Sequence, residues 1–109
     1  MSRAKPVYRD MTALEQSAAL ALAQCRMQNF DRRFSDCLEK EALQAEPRIT
    51  DKQANCLWRK IWKFRKQILA QDDGSFRNKV RITAIMSEVK KRSFTSALDE
   101  TWELKREAA

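Results

Sequence analysis

Histidine is absent from this 109-residue chain, glycine occurs once and proline twice. Each shortage excludes something. Without histidine there is no catalytic imidazole, no HExxH metalloprotease helix and no histidine-based zinc site. A single glycine leaves no P-loop, no GxGxxG turn and no nucleophile elbow, because each of these needs glycines to turn sharply or let backbone approach a ligand. Cys25, Cys37 and Cys56 are odd in number and widely spaced, with no CxxC. Neither a disulfide framework nor a metal site is expected from them. They read as free thiols of a cytoplasmic protein, Cys25 and Cys37 as packing and Cys56 as exposed. Long apolar runs are also lacking. The alanine-leucine stretch 18–23 is too short to span a membrane and has Glu15, Gln16, Gln24 and Arg26 beside it. Carboxylate pairs such as Asp72 with Asp73, or Glu39 with Glu41, lack the contrasting environments that acid–base catalysis needs. The expectation is a non-enzymatic protein with no metal and no cofactor.

What is present favours helix. Abundant Ala, Leu, Glu, Lys, Arg and Gln predict an all-α fold, a single compact bundle of four to five short helices across residues 1–109. A chain of this length buries about two thirds of its unfolded surface and needs no staple. Residues 1–10, with Pro6, read as a flexible lead-in. Thr12 and Glu15 form a capping-box pattern opening helix 1, which runs to about Gln28. Its apolar residues spread nearly all round: Leu14, Ala18, Ala21, Leu22 and Cys25 on one side, Leu20, Ala23 and Met27 on another. Such a helix sits centrally in a bundle or forms the seam of a homodimer. Helix 2, capped by Asn29 or Asp31, reaches about Ala45 with Phe30, Phe34, Cys37 and Leu38 on one face, and Pro47 stops it. Thr50 with Gln53 is a second capping box. Asp72, Asp73 and Gly74 signal a turn, with Gly74 in a left-handed position. Helix 4 follows Ser75 through Ile82, Ile85, Met86 and Val89. A last helix starts near Ser96 with Leu98 and Trp102 one turn apart, and residues 105–109 fray.

Charge is sorted along the chain. The formal net charge is +7; residues 50–92 hold twelve basic and four acidic groups, and the remainder ten basic and eleven acidic. Concentrated positive potential attracts polyanions. Helix 3, residues 50–71, shows the division most clearly on a helical wheel. Ala54, Leu57, Trp58, Ile61, Phe64 and Ile68 fall on one arc. Arg59, Lys60, Lys63 and Lys66 fall on the other, a ridge about 10 Å long. No acid stands at i±4 to neutralise them. This ridge, aided by Arg77, Arg81 and Lys91, is the expected contact for phosphates or for an acidic protein face. Arg65 lies inside the apolar arc. Either it pairs with an acid such as Asp36, Glu39 or Glu88 or reaches past Trp58 and Trp62, or with those two indoles it forms a hot spot for a ligand or stacked base. Helix 2, residues 47–49 and helix 3 have helix-turn-helix spacing. Helix 3 begins with few side chains able to read base edges, so phosphate contact is expected rather than sequence readout.

Residues 49–68, ITDKQANCLWRKIWKFRKQI, resemble a segment of small uncharacterised helical proteins of phages, prophages and conjugative elements. In these an Ile/Leu-Thr-x-x-Gln start leads into Leu-Trp-Arg and an aromatic-Arg-x-Gln-Ile ending. Residues 7–25, VYRDMTALEQSAALALAQC, are similar to the start of such proteins. The resemblance implies an accessory binder, a class that includes nucleic-acid binders and inhibitors of host defence of the anti-CRISPR type. It assigns no site residues. The expected function is therefore binding of nucleic acid or a nucleoprotein through the basic face. The alternatives are an inhibitor docking on an acidic or nucleic-acid-binding surface of a host effector, and a structural homodimer through helix 1.

Overall fold

Two threonines set where the first and third helices start. The Thr12 Oγ1 accepts the Glu15 amide at 3.1 Å, and Glu15 Oε1 accepts the Thr12 amide at 2.9 Å. Thr50 and Gln53 repeat the exchange at 3.1 and 3.0 Å. Both boxes satisfy amides that a helix start leaves orphaned. The computed structural model describes residues 7–92; the last helix expected from Ser96, with Leu98 and Trp102, and the tail 105–109 lie outside them. Chain order is β1 (Tyr8–Asp10), α1 (Ala13–Ala23), α2 (Asn29–Ala42), β2 (Arg48–Thr50), α3 (Asp51–Lys63), α4 (Arg65–Leu69) and α5 (Phe76–Lys91). The fold is broadly all-α, as the composition predicts, with one small two-stranded ribbon.

The central element is α1, which packs against α2, α3 and α5. Ala18, Ala19, Ala21 and Leu22 are buried, and small side chains on all sides let three neighbours approach. Its all-round apolar surface is thus used within the chain. Of the apolar residues that spread round it, Leu14, Leu20 and Ala23 stay half-buried. Around α1 the core collects Leu38 from α2, Leu57, Trp58 and Ile61 from α3, Ile68 from α4, and Ile85 and Val89 from α5.

Four expectations need correction, each for a physical reason. First, α1 stops at Ala23 rather than near Gln28, because side chains from elsewhere take over the carbonyls at its end. Arg32 donates to the Ala23 and Cys25 oxygens at 3.0 and 3.1 Å, and Gln71 to the Ala21 oxygen at 2.8 Å. Gln67 exchanges two hydrogen bonds with the Arg26 backbone at 2.7 and 3.0 Å. Second, part of the lead-in is ordered: Tyr8, Arg9 and Asp10 pair antiparallel with Thr50, Ile49 and Arg48. The same β2 stands between α2 and α3, so the short turn of a helix-turn-helix is not formed. Third, helix 3 is broken. Phe64, at φ −102° and ψ 22°, separates α3 from α4. Fourth, Cys37 is exposed and Cys56 is half-buried, where burial pushes its thiol up. Gly74 does take the left-handed conformation, at φ 85°.

One side chain ties the ribbon to both capping boxes. The Arg9 guanidinium grips Glu15 with two bonds of 2.8 Å and reaches Asp51, in the first turn of α3, at 2.9 Å. Burial pushes the Glu15 carboxyl up, but the Arg9 fork and the Thr12 amide outweigh it and hold Glu15 below the ordinary carboxylate range.

Candidate nucleic-acid interface

Lys60 and Lys63 stand one turn apart on α3, on the side that faces the start of α2. Asp31, in the first turn of α2, receives both: Lys63 Nζ lies 2.7 Å from one carboxylate oxygen and Lys60 Nζ meets the other. The ridge is therefore not uncompensated along its length. The acid is absent at i±4 within α3 and arrives from another helix. Burial works against the Asp31 charge, but the bonds from Lys60 and then Lys63 outweigh it and keep the carboxyl below its usual range. Arg59 and Lys66, the other two ridge residues, are exposed.

The expected aromatic hot spot is not assembled. Trp58 is 1 % exposed and belongs to the core, so no base can stack on it. Its indole N–H is buried without a hydrogen-bond partner among the described residues. The break at Phe64 carries Arg65 out of the apolar arc. Its guanidinium lies 4.0 Å from the centre of the Trp62 ring and donates to the Trp62 carbonyl at 2.9 Å. Arg65 thus reaches past an indole, one of the two structural alternatives, and itself covers one face of the only half-open tryptophan of α3.

Open positive charge is found elsewhere on α3, α4 and α5. The four acids of residues 50–92 are all engaged: Asp51 on Arg9, Glu88 on Arg92 at 3.1 Å, and Asp72 and Asp73 on the amides of Gly74 and Ser75. Lys52, Lys66, Arg77, Lys79, Lys90 and Lys91 are exposed, and none has an ion pair among the described residues. Arg81 is half-buried. Arg92 links the end of α5 to α3. It donates to Asn55 Oδ1 at 3.3 Å and sits 5.4 Å from the Trp58 ring centre, which brings the last turn of α5 against the exposed side of α3. No protein-family model, curated protein or solved structure matches the chain. The site must speak through its own chemistry.

Beside the paired lysines lies an open cleft of about 460 Å³, walled by Met27, Phe30, Asp31, Lys60, Lys63 and Phe64. Lys60 Nζ lies 5.6 Å from the Phe30 ring centre and Lys63 Nζ 5.4 Å from that of Phe64. Phe30 is 66 % exposed although the periodicity of α2 placed it on a core face. It stands just after Asn29, whose φ of 53° turns the chain into α2, before the helix reaches its neighbours. Nothing in the spacing distinguishes Phe30 from Phe34, which does pack on the core. Among the described residues no helix is long and apolar enough to cross a membrane, and no group of three or more His, Cys, Asp or Glu could hold a metal ion.

Proposed function

We propose that this protein binds nucleic acid, free or within a nucleoprotein, through the cationic strip of α3, α4 and α5, and that it does so without catalysing a reaction. The observation that carries this reading is the set of exposed cations on those helices, Lys52, Lys66, Arg77, Lys79, Lys90 and Lys91, that meet no acid among the described residues. A solubilising surface intersperses both signs; this one offers one sign to whatever approaches. Contacts of this kind recognise phosphate and weaken steeply with salt.

The test is a mobility-shift titration of the full chain against generic DNA and RNA at two salt concentrations. The expected result is retention in the micromolar range near physiological salt, with a steep loss on raising it. Replacing Lys66 and Lys91 together by Gln is expected to weaken binding and to flatten the salt dependence by about one unit of slope per lost phosphate contact. Lys63 is a poor choice for charge reversal, because Lys63→Glu sets a second carboxylate against Asp31. Absence of retention even at low salt rejects nucleic acid. The same strip would then serve a protein inhibitor docking on an acidic surface of a host effector.

A further inference from the structure

We infer that the cleft between α2 and α3 takes one unstacked nucleobase and its phosphate, so that the nucleic acid bound is single-stranded. This rests on the reading above and specifies it. Three features of the cleft fit such a ligand. One face of the Phe30 ring meets Lys60, while two thirds of the residue stays open to solvent. That leaves a flat apolar surface beside a cation, the pairing on which single-stranded nucleic acids stack. Next, Lys60 and Lys63 share a single carboxylate, which leaves one uncancelled positive charge between two adjacent ammoniums. Each ammonium has three donors, and one spent on Asp31 leaves two for phosphate oxygens. Asp31 is then a positioning residue: it holds two like charges side by side and leaves their outer donors unspent. Finally, the volume of about 460 Å³ falls in the range of small-ligand sites and the cleft is open to one side. A strand can leave one base there and continue along the ridge toward Lys66.

A duplex cannot use this cleft, because its bases are stacked inside and only its phosphates reach the protein. An acidic peptide can meet the lysines but has no obligatory ring for Phe30. The chemistry therefore favours an exposed base over either.

The experiment titrates the full chain with fluorescently labelled single strands of mixed sequence, as DNA and as RNA. It adds the same DNA strand as a duplex, an abasic version, and unlabelled polyglutamate as competitor. Expected are tighter binding of the single strand than of the duplex and about tenfold loss for the abasic strand. Phe30→Ala should weaken single-strand binding about tenfold and leave duplex binding unaltered, in line with a single base–aromatic stack. Phe76→Ala removes a still more exposed phenyl from α5, at 82 % exposure, and should leave both affinities unchanged. Circular dichroism and thermal melting confirm that both variants fold. Single-strand and duplex affinities that are equal, abasic and native strands that bind alike, or a Phe30→Ala variant that binds like the native protein overturn the cleft while leaving the cationic strip in place. Displacement by polyglutamate as readily as by an equally charged single strand assigns the cleft to acidic protein and overturns it too. Failure of every nucleic acid to bind at low salt overturns both readings together.

Discussion

At the scale of single residues, the informative group is Asp31, one carboxylate that holds two ammoniums at 14 % side-chain exposure. Removing its charge leaves Lys60 and Lys63 facing each other. Asp31→Asn is expected to lower stability by about 1–3 kcal/mol, between the values for exposed and buried ion pairs, as read by urea denaturation. The pH dependence has a definite sign. A carboxyl held below its unfolded value of 3.8 stabilises the fold fully above that value, and the contribution is lost as pH falls through the lower folded one. Melting temperature should therefore drop on acidification below about pH 4, and less so in Asp31→Asn. This pairing was illegible in the sequence because Asp31 and Lys63 stand 32 positions apart. Reading i±4 neighbours sees only a helix's own face. For Trp58 the wheel left two readings open, core or ligand platform, and its burial where α5 packs against α3 decides for the core.

At the scale of elements, the starts of helices were legible and the ribbon was not. A capping box is a local contract between residues three apart, so Thr12 with Glu15 and Thr50 with Gln53 are written in full within four positions. Gly74 is legible likewise, since few other residues adopt its φ of 85° without strain. Three-residue strands carry no alternation to detect, and Tyr8–Asp10 and Arg48–Thr50 are separated along the chain by α1 and α2. The α3–α4 break was invisible because no Gly or Pro marks it and the apolar spacing runs on to Ile68. The ribbon's attachment depends on Arg9, which bridges Glu15 and Asp51. Arg9→Ala leaves Glu15, 3 % exposed, as a buried carboxylate without its cation. The expected loss at neutral pH is about 3 kcal/mol, the low end of the range for breaking a buried pair, because Arg9 itself is 38 % exposed. Most of that loss belongs to Glu15, since Asp51 is 87 % exposed. Without Arg9, burial, the largest influence on this carboxyl, is opposed chiefly by Thr12 and favours the neutral form. The stability gap between native and variant should thus narrow as pH falls through about 4.5, the unperturbed value for Glu15. A gap that stays constant across that window would show that Arg9 acts by packing rather than by charge.

At the scale of the whole molecule, the same unpaired cations act on the fold and on the ligand with opposite signs in salt. Residues 50–92 carry eight more basic than acidic groups, by difference of twelve and four. Their mutual repulsion opposes folding, and screening relieves it; the attraction of that strip for phosphate is weakened by the identical screening. Raising ionic strength should accordingly increase the melting temperature of the free protein by a few degrees, equivalent to about 1 kcal/mol for a domain of this size. With a single-stranded oligonucleotide present at one hundred times its dissociation constant, binding adds about 2.7 kcal/mol at low salt, and that increment should fade as salt rises. The two melting curves must therefore converge from opposite directions. A ligand held by apolar contact alone would keep its increment, because burial of apolar surface is little affected by moderate salt. A free protein indifferent to ionic strength would mean that the strip is already neutralised within the molecule. Convergence is the outcome that only an open, one-signed surface produces, and differential scanning fluorimetry at two salt concentrations, with and without the strand, reads it directly.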